Sequence, residues 1–144
     1  MAKTLPPVRR VITAIDKEGK SYFSEDGPTK MHTNPQRPGM QSFNVWATGR
    51  LPVPYDDPDL AEQVHGIMPP PGGSVLHVID YPPEPKDPAE RAKAIAAMRE
   101  RVKSMGTHPE PGVIRHPDGP HPGMHETETI DYAIVLSEIG RAHV

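Results

Sequence analysis

The side chains best suited to chemistry lie near the end of the chain, where a loop rich in Pro, Gly and His runs into an apolar segment. His125, Thr127 and Asp131 follow one another at even spacings. Residues at even spacings share one face of a strand, so all three can face one pocket. Converging imidazole and carboxylate groups bind divalent metals, whereas a threonine hydroxyl is a poor ligand. The pattern predicts His125 and Asp131 as metal ligands and Thr127 as a hydrogen-bonding group.

Two further side chains are expected to line the same pocket. His121 precedes the predicted ligands in the loop, and Tyr132 directly follows Asp131. Together with Thr127 they are predicted to form the pocket wall. The alternative is that Asp131 and Tyr132 lie in a strand whose neighbouring backbone satisfies their polar groups.

Four histidines and Trp46 can each be interpreted either as ordinary structural residues or as functional ones. Like His121, the histidines His108 and His116 are expected to be loop residues, although clustered imidazoles also bind transition metals at a surface. Trp46 is expected in a core or at the mouth of a barrel rather than as a platform for a ligand. His77 lies within a strand-like run, where it faces either the interior or the solvent.

The composition of the chain narrows its class. Its 144 residues suit one domain, and a net charge of −3 offers no basic surface for nucleic acid. The chain has no cysteine, which excludes disulfides and thiolate metal sites and fits a cytoplasmic location. No apolar stretch is long enough to cross a membrane. The 20 prolines and 12 glycines, with β-patterned runs between them, predict a loop-rich, mainly β protein.

The positioning elements are chiefly strands. β-branched and alternating runs predict strands over residues 8–15, 21–24, 41–48, 74–81 and 130–136, the last of them well buried. The first two are expected to form a hairpin. In the third, Phe43, Val45 and Ala47 are expected to share a buried face. Residues 25–40 and 51–73, which are rich in proline, are predicted to be loops.

One amphipathic helix is predicted at about residues 87–105. Asp87 is suited to the N-cap position, Pro88 to the first helical position and Glu90 to the capping box. Gly106 is suited to end the helix. One face gathers the apolar residues at helical spacing, namely Ile95, Met98, Val102 and Met105.

The segment around His125 resembles the first conserved motif of the cupins, which are small jelly-roll β-barrels. That motif has Gly, then His-x-His, then three residues and Glu, and it continues into a buried strand. His125 stands at the first His of the motif, Thr127 replaces the second His and Asp131 replaces the Glu. Residues 8–137 as a whole resemble an uncharacterised group of single-domain cupins, through residues 9–13, 24–28, the strand around Trp46 and residues 69–75.

The resemblance implies a fold and two alternative functions. The fold is an incomplete cupin jelly-roll barrel over residues 1–137, with an N-terminal strand extension. One function is that of an enzyme acting on a small organic molecule with the help of Fe, Mn, Ni or Zn, and the chain as given is expected to be inactive. The other is that of a non-catalytic cupin that binds a small molecule and has lost its metal site, because Thr127 replaces a ligand.

The end of the chain is expected to be foreign to the domain. Residues 138–144 match one reading frame of a widely used sequencing adapter, so they are predicted to be a non-native tail. The alternative is a protein that is naturally truncated. In either case the strand predicted at 130–136 would form an open barrel edge, which favours homo-oligomers and poor solubility.

Overall fold

The computed structural model describes residues 7–35 and 37–136. Within these residues, seven strands form three small antiparallel sheets, and one α-helix accompanies them. The mainly β class with one helix is therefore confirmed, and the described residues form no closed barrel. The tail predicted at 138–144 lies outside the described residues.

The first sheet is the hairpin that the sequence predicts. Strand β1 (Arg9–Ile15) pairs with strand β2 (Ser21–Pro28). In the turn between them, the Asp16 carboxylate accepts hydrogen bonds from the backbone N–H groups of Glu18 and Lys20. The prediction that residues 25–40 form a loop was wrong at its start, because cross-strand pairing carries β2 on to Pro28. It was wrong again at Met31–Thr33, which pair with a later strand.

The second sheet has the strand order β3-β4-β5, formed by β3 (Met31–Thr33), β4 (Gln41–Thr48) and β5 (Ser74–Asp80). The pairing of β4 with β5 shifts between Asn44 and Trp46. A bulge of this kind breaks the alternation of faces along a strand. The expected single buried face was therefore wrong, since buried residues come in adjacent pairs, at Phe43 and Asn44 and again at Ala47 and Thr48.

The long segment 51–73 packs against β4 and contributes Leu60, Ala61 and Val64 to a small core. Its only regular element among the described residues is a single 3₁₀ turn, Ala61–Gln63. The Asp59 carboxylate accepts hydrogen bonds from the backbone N–H groups of Ala47 and Ala61, at 3.0 and 2.9 Å, and so fastens the segment to the strand. The core cluster consists of Ala47, Ala61 and Val64, with Leu60 and Val75 packed against it.

Arg10 joins the hairpin to the second sheet. Its guanidinium donates two hydrogen bonds of 2.7 Å to Glu25, one of 2.6 Å to Asp59 and one of 3.1 Å to the carbonyl of Val45. The side chains of Arg10 and Asp59 are each only 17% exposed. This ion-pair network therefore lies in a partly desolvated position between two sheets.

The predicted helix is confirmed as α1 (Pro88–Ser104). The Asp87 carboxylate accepts hydrogen bonds from the N–H groups of Ala89 and Glu90, which caps the first turn. Val102 on the apolar face is buried. The helix contacts the loop that follows β6, since Arg99 donates to carbonyls of that loop, at Pro117 and Gly119. None of the helices in the described part of the chain is long and apolar enough to cross a membrane.

The third sheet is a two-stranded ribbon made of β6 (Val113–Arg115) and β7 (His125–Thr127). The buried strand predicted at residues 130–136 was wrong. No described strand pairs with this segment, and a strand without a partner leaves its backbone groups unpaired. Its apolar side chains are exposed, with Ile130 at 87%, Ile134 at 81% and Leu136 at 77%.

Candidate functional site

The β6–β7 ribbon positions the residues of chemical interest. The ribbon pairs Val113 with Thr127 and Arg115 with His125. Directly paired residues of an antiparallel ladder project to the same face, with Cβ atoms about 5 Å apart. Arg115 and His125 therefore share one face of the ribbon.

Arg115 has an unusual environment for a cation. The residue is only 7% exposed, and its Nε is enclosed and has no hydrogen-bond partner. Within residues 7–35 and 37–136, no carboxylate lies within ion-pair distance of this guanidinium. Burial and the nearby Arg37 lower the pKa of Arg115, while Glu110 raises it. A buried guanidinium without a partner is costly, because its lost hydration is not replaced.

His125, the first predicted metal ligand, is exposed at the start of β7. Its Nδ1 lies 2.9 Å from the carbonyl oxygen of Gly123. A carbonyl oxygen can only accept, so Nδ1 donates the proton of this bond. The neutral imidazole therefore keeps the lone pair on Nε2.

Asp131, the second predicted ligand, belongs to a short polar chain. The Thr129 hydroxyl lies 2.8 Å from Thr127 Oγ1 and 2.9 Å from Asp131 Oδ1, and it donates to one or the other. The structure thus links Asp131 with Thr127, but no hydrogen bond links His125 with either residue. Across the described ranges, no group of three His, Cys, Asp or Glu side chains is placed to hold a metal ion.

The other predicted pocket residues are spread along the loop and the final segment. The Nδ1 of His121, a half-buried residue, accepts a hydrogen bond of 3.0 Å from the backbone N–H of Gly123. Tyr132 is 92% exposed. His116 Nε2 lies 2.7 Å from Glu126 Oε1. Whether His121, Thr127 and Tyr132 line one pocket stays a prediction.

A shallow, open depression lies beside the ribbon. It is lined by nine residues, among which Thr107, Arg115, His116, Asp118 and Glu126 have polar side chains. The backbone N–H of Arg115 donates to the carbonyl of Thr107 at 2.7 Å, which fixes one wall. Arg115 is one of the residues that line this depression. The predicted metal ligands His125 and Asp131 are not among them.

A second polar cluster lies on the β4–β5 pair, around His77. Asn44 donates from Nδ2 to the carbonyls of Ala61 and Val64, at 3.1 and 2.9 Å, so its Oδ1 is the atom 2.8 Å from His77 Nδ1. His77 Nδ1 therefore donates, and Nε2 is enclosed. Burial lowers the pKa of His77. The structure turns His77 inward, which settles an orientation that the sequence leaves open.

Charges around His77 connect this cluster with the final segment. The Asp131 carboxylate and the Ile67 backbone raise the pKa of His77, and His32 lowers it, although burial outweighs them. Asp131 thus acts electrostatically on an imidazole other than the one predicted as its partner. His77 is a buried titratable group that the predicted ligand set does not include.

Arg115 is the functional candidate that sequence reasoning missed. The run Val113-Ile114-Arg115 places a cation at the position that shares a face with Val113. A charged residue at an inward position of an apolar run is a signal that the alternation pattern alone can reveal. The strand β6 was not predicted because it has only three residues and lies in a sequence rich in proline and glycine.

Comparisons with protein-family models, with curated proteins and with solved structures found no significant match. The cupin resemblance therefore stays a prediction, and the function has to be argued from the residues described above.

Proposed function

We propose that this chain is a cupin-type β domain that binds a small organic molecule at the β6–β7 ribbon without using a metal at His125. The observation that supports this proposal is the pairing of Arg115 with His125 on one face. An unpaired guanidinium repels a divalent cation and attracts an anion. The electrostatics of the ribbon therefore favour an organic ligand over a metal ion.

The replacement of the second motif histidine by Thr127 supports the same choice. The Thr127 hydroxyl takes part in the polar chain with Thr129 and Asp131. A hydroxyl of this kind binds a polar group of an organic ligand more readily than a transition metal. In this proposal, Thr127 and Asp131 take part in hydrogen bonds through Thr129 rather than act as metal ligands.

A metal-assisted enzyme is the second candidate, and one observation favours it. His125 donates through Nδ1 to the Gly123 carbonyl, which leaves Nε2 available. Histidines that bind metals are commonly oriented by such a bond to a backbone carbonyl. In this alternative, His125 and Asp131 would be two ligands of an Fe, Mn, Ni or Zn ion acting as a Lewis acid.

The metal content of the purified protein distinguishes the two candidates. Inductively coupled plasma mass spectrometry would compare the wild-type chain with His125→Ala, both purified without chelator. The proposal expects far less than one metal ion per chain and no difference between the two proteins. One ion per wild-type chain that is absent from His125→Ala would overturn the proposal and establish the metal candidate.

Two further assignments belong to the proposal. The absence of cysteine supports a cytoplasmic location, because proteins of the reducing cytosol rarely contain disulfides. The exposed apolar segment 130–136 supports association between copies of the chain. Neither nucleic acid nor a membrane is proposed as a partner.

A further inference from the structure

We propose that Arg115 anchors a binding site for a small oxyanion, the carboxylate or phosphate group of an organic ligand. This inference deepens the proposed function and rests on it, since it names the ligand class for the same ribbon. It starts from the buried Arg115, whose Nε is enclosed and has no hydrogen-bond partner within the described residues.

Four of the other arginines show what a completed environment looks like in this protein. Arg9, Arg10 and Arg50 each donate two hydrogen bonds of 2.6–2.7 Å to one carboxylate. Arg99 donates to two backbone carbonyls. Arg115 is more buried than any of these side chains and yet has no such partner. An oxyanion from outside the chain would complete its environment.

The charges that surround Arg115 leave room for an anion. Arg37 adds positive potential, and His125 lies opposite on the ribbon. The carboxylate that raises the pKa of Arg115 is Glu110, and it lies against Gly66, where a Cβ would come within 2.0 Å of Glu110 Oε2. Glu126, which also borders the depression, faces His116 at 2.7 Å. Asp118 also lines the depression and pairs with Lys103 at 3.0 Å. None of these three carboxylates is within ion-pair distance of Arg115.

The shape of the site selects the class of ligand. A guanidinium presents a planar fork of N–H donors that matches the two oxygens of a carboxylate or phosphate group. The depression beside Arg115 is open and shallow, so it suits a small solute rather than a long chain. The geometry therefore favours a small organic acid or a phosphate ester.

The test follows the Nε–H signal of Arg115 by nuclear magnetic resonance of the ¹⁵N-labelled chain. Sodium acetate and sodium phosphate would be titrated separately, with chloride adjusted to hold ionic strength constant. We expect a saturating change in the Arg115 signal and a much smaller change at Arg50, which already pairs with Asp57. Saturation by acetate alone identifies a carboxylate ligand, and saturation by phosphate alone identifies a phosphate ligand. No saturating change with either anion, or equal changes at Arg115 and Arg50, overturns the inference.

Two variants extend the test to ligand-dependent stability. The wild-type melting temperature should rise by about 4 °C at an anion concentration ten times the dissociation constant. Arg115→Met should lose this rise, and Arg115→Lys should bind several-fold more weakly, because a lysine lacks the planar fork. A full rise in Arg115→Met would overturn the inference, and the wild-type titration decides the matter if that variant does not fold.

The two proposals can fail separately. A negative anion titration combined with metal-free protein would overturn the oxyanion site and leave small-molecule binding in place. A metal ion bound through His125 would overturn the proposed function, whatever the anions do.

Discussion

Arg115 and His125 occupy directly opposite positions in the β6–β7 ladder, one almost fully buried and the other exposed. Within the described residues, the guanidinium of the buried member has an unpartnered Nε and no carboxylate within ion-pair distance. The exposed member has one ring nitrogen held by a backbone carbonyl. A metal ion at His125 would lie close to this guanidinium. Whether the ribbon binds a metal ion or an anion therefore depends on this one cross-strand pair.

The first prediction concerns the cost of burying Arg115. Arg115→Met removes the charge and keeps the length of the side chain, so it should stabilise the ligand-free protein by about 1–3 kcal/mol. Urea denaturation followed by circular dichroism measures the change. The matched control Arg50→Met removes a paired arginine that is 60% exposed and should not stabilise the protein. A loss of stability in Arg115→Met would show that the guanidinium has a partner after all.

The second prediction concerns the link between the hairpin and the second sheet. Arg10→Met leaves the Asp59 carboxylate, which is 17% exposed, without its cation and should cost about 2 kcal/mol. Chemical denaturation measures this loss. Arg9→Met is the control, because the neighbouring Arg9–Asp26 pair is exposed and contributes little. Equal losses in the two variants would contradict the bridging role of Arg10.

The third prediction concerns pH and His77. Burial lowers the pKa of His77 below its ordinary value of 6.5, so near that pH the unfolded chain binds a proton that the folded chain does not. Stability should therefore fall as the pH drops below about 6.5, with a slope of at most about 1.4 kcal/mol per pH unit from this group. His77→Gln should lose this part of the slope, and His65→Gln, at an exposed position, should keep it. Identical profiles for His77→Gln and the wild type would contradict the assignment.

The fourth prediction concerns association through the final segment. Ile134 is 81% exposed within the apolar run at 130–136, so Ile134→Lys should shift the protein toward the monomer. Sedimentation velocity at several concentrations measures the distribution of species. Ile15→Lys adds the same charge at another exposed isoleucine, 62% exposed, and should change the distribution less. A wild-type chain that is monomeric at every concentration would contradict this prediction.

The helix and the first hairpin were predictable because their signals are local. Asp87, Pro88 and Gly106 mark the helix ends, and a β-branched run marks β1. The bulge in β4 was not predictable, since it depends on how the segment around Asp59 docks at Ala47. An alternating pattern indicates faces only while the pairing register stays constant.

The candidate site was predictable in its residue types but not in its contacts. The spacing of His125, Thr127 and Asp131 implied one shared face, but the described strand β7 ends at Thr127 and Asp131 lies beyond it. The parity argument fails there because it holds only within a continuous strand. Arg115 became visible only through its burial, which is set by long-range packing rather than by local sequence.

The most direct measurement follows the backbone amide signals of Arg115 and His125 while phosphate, acetate or Zn²⁺ is added to separate samples. The account predicts saturating changes at both residues with phosphate or acetate, and no change at His125 with one equivalent of Zn²⁺. A change at His125 that is complete at one equivalent of Zn²⁺, with no response to either anion, would contradict the account.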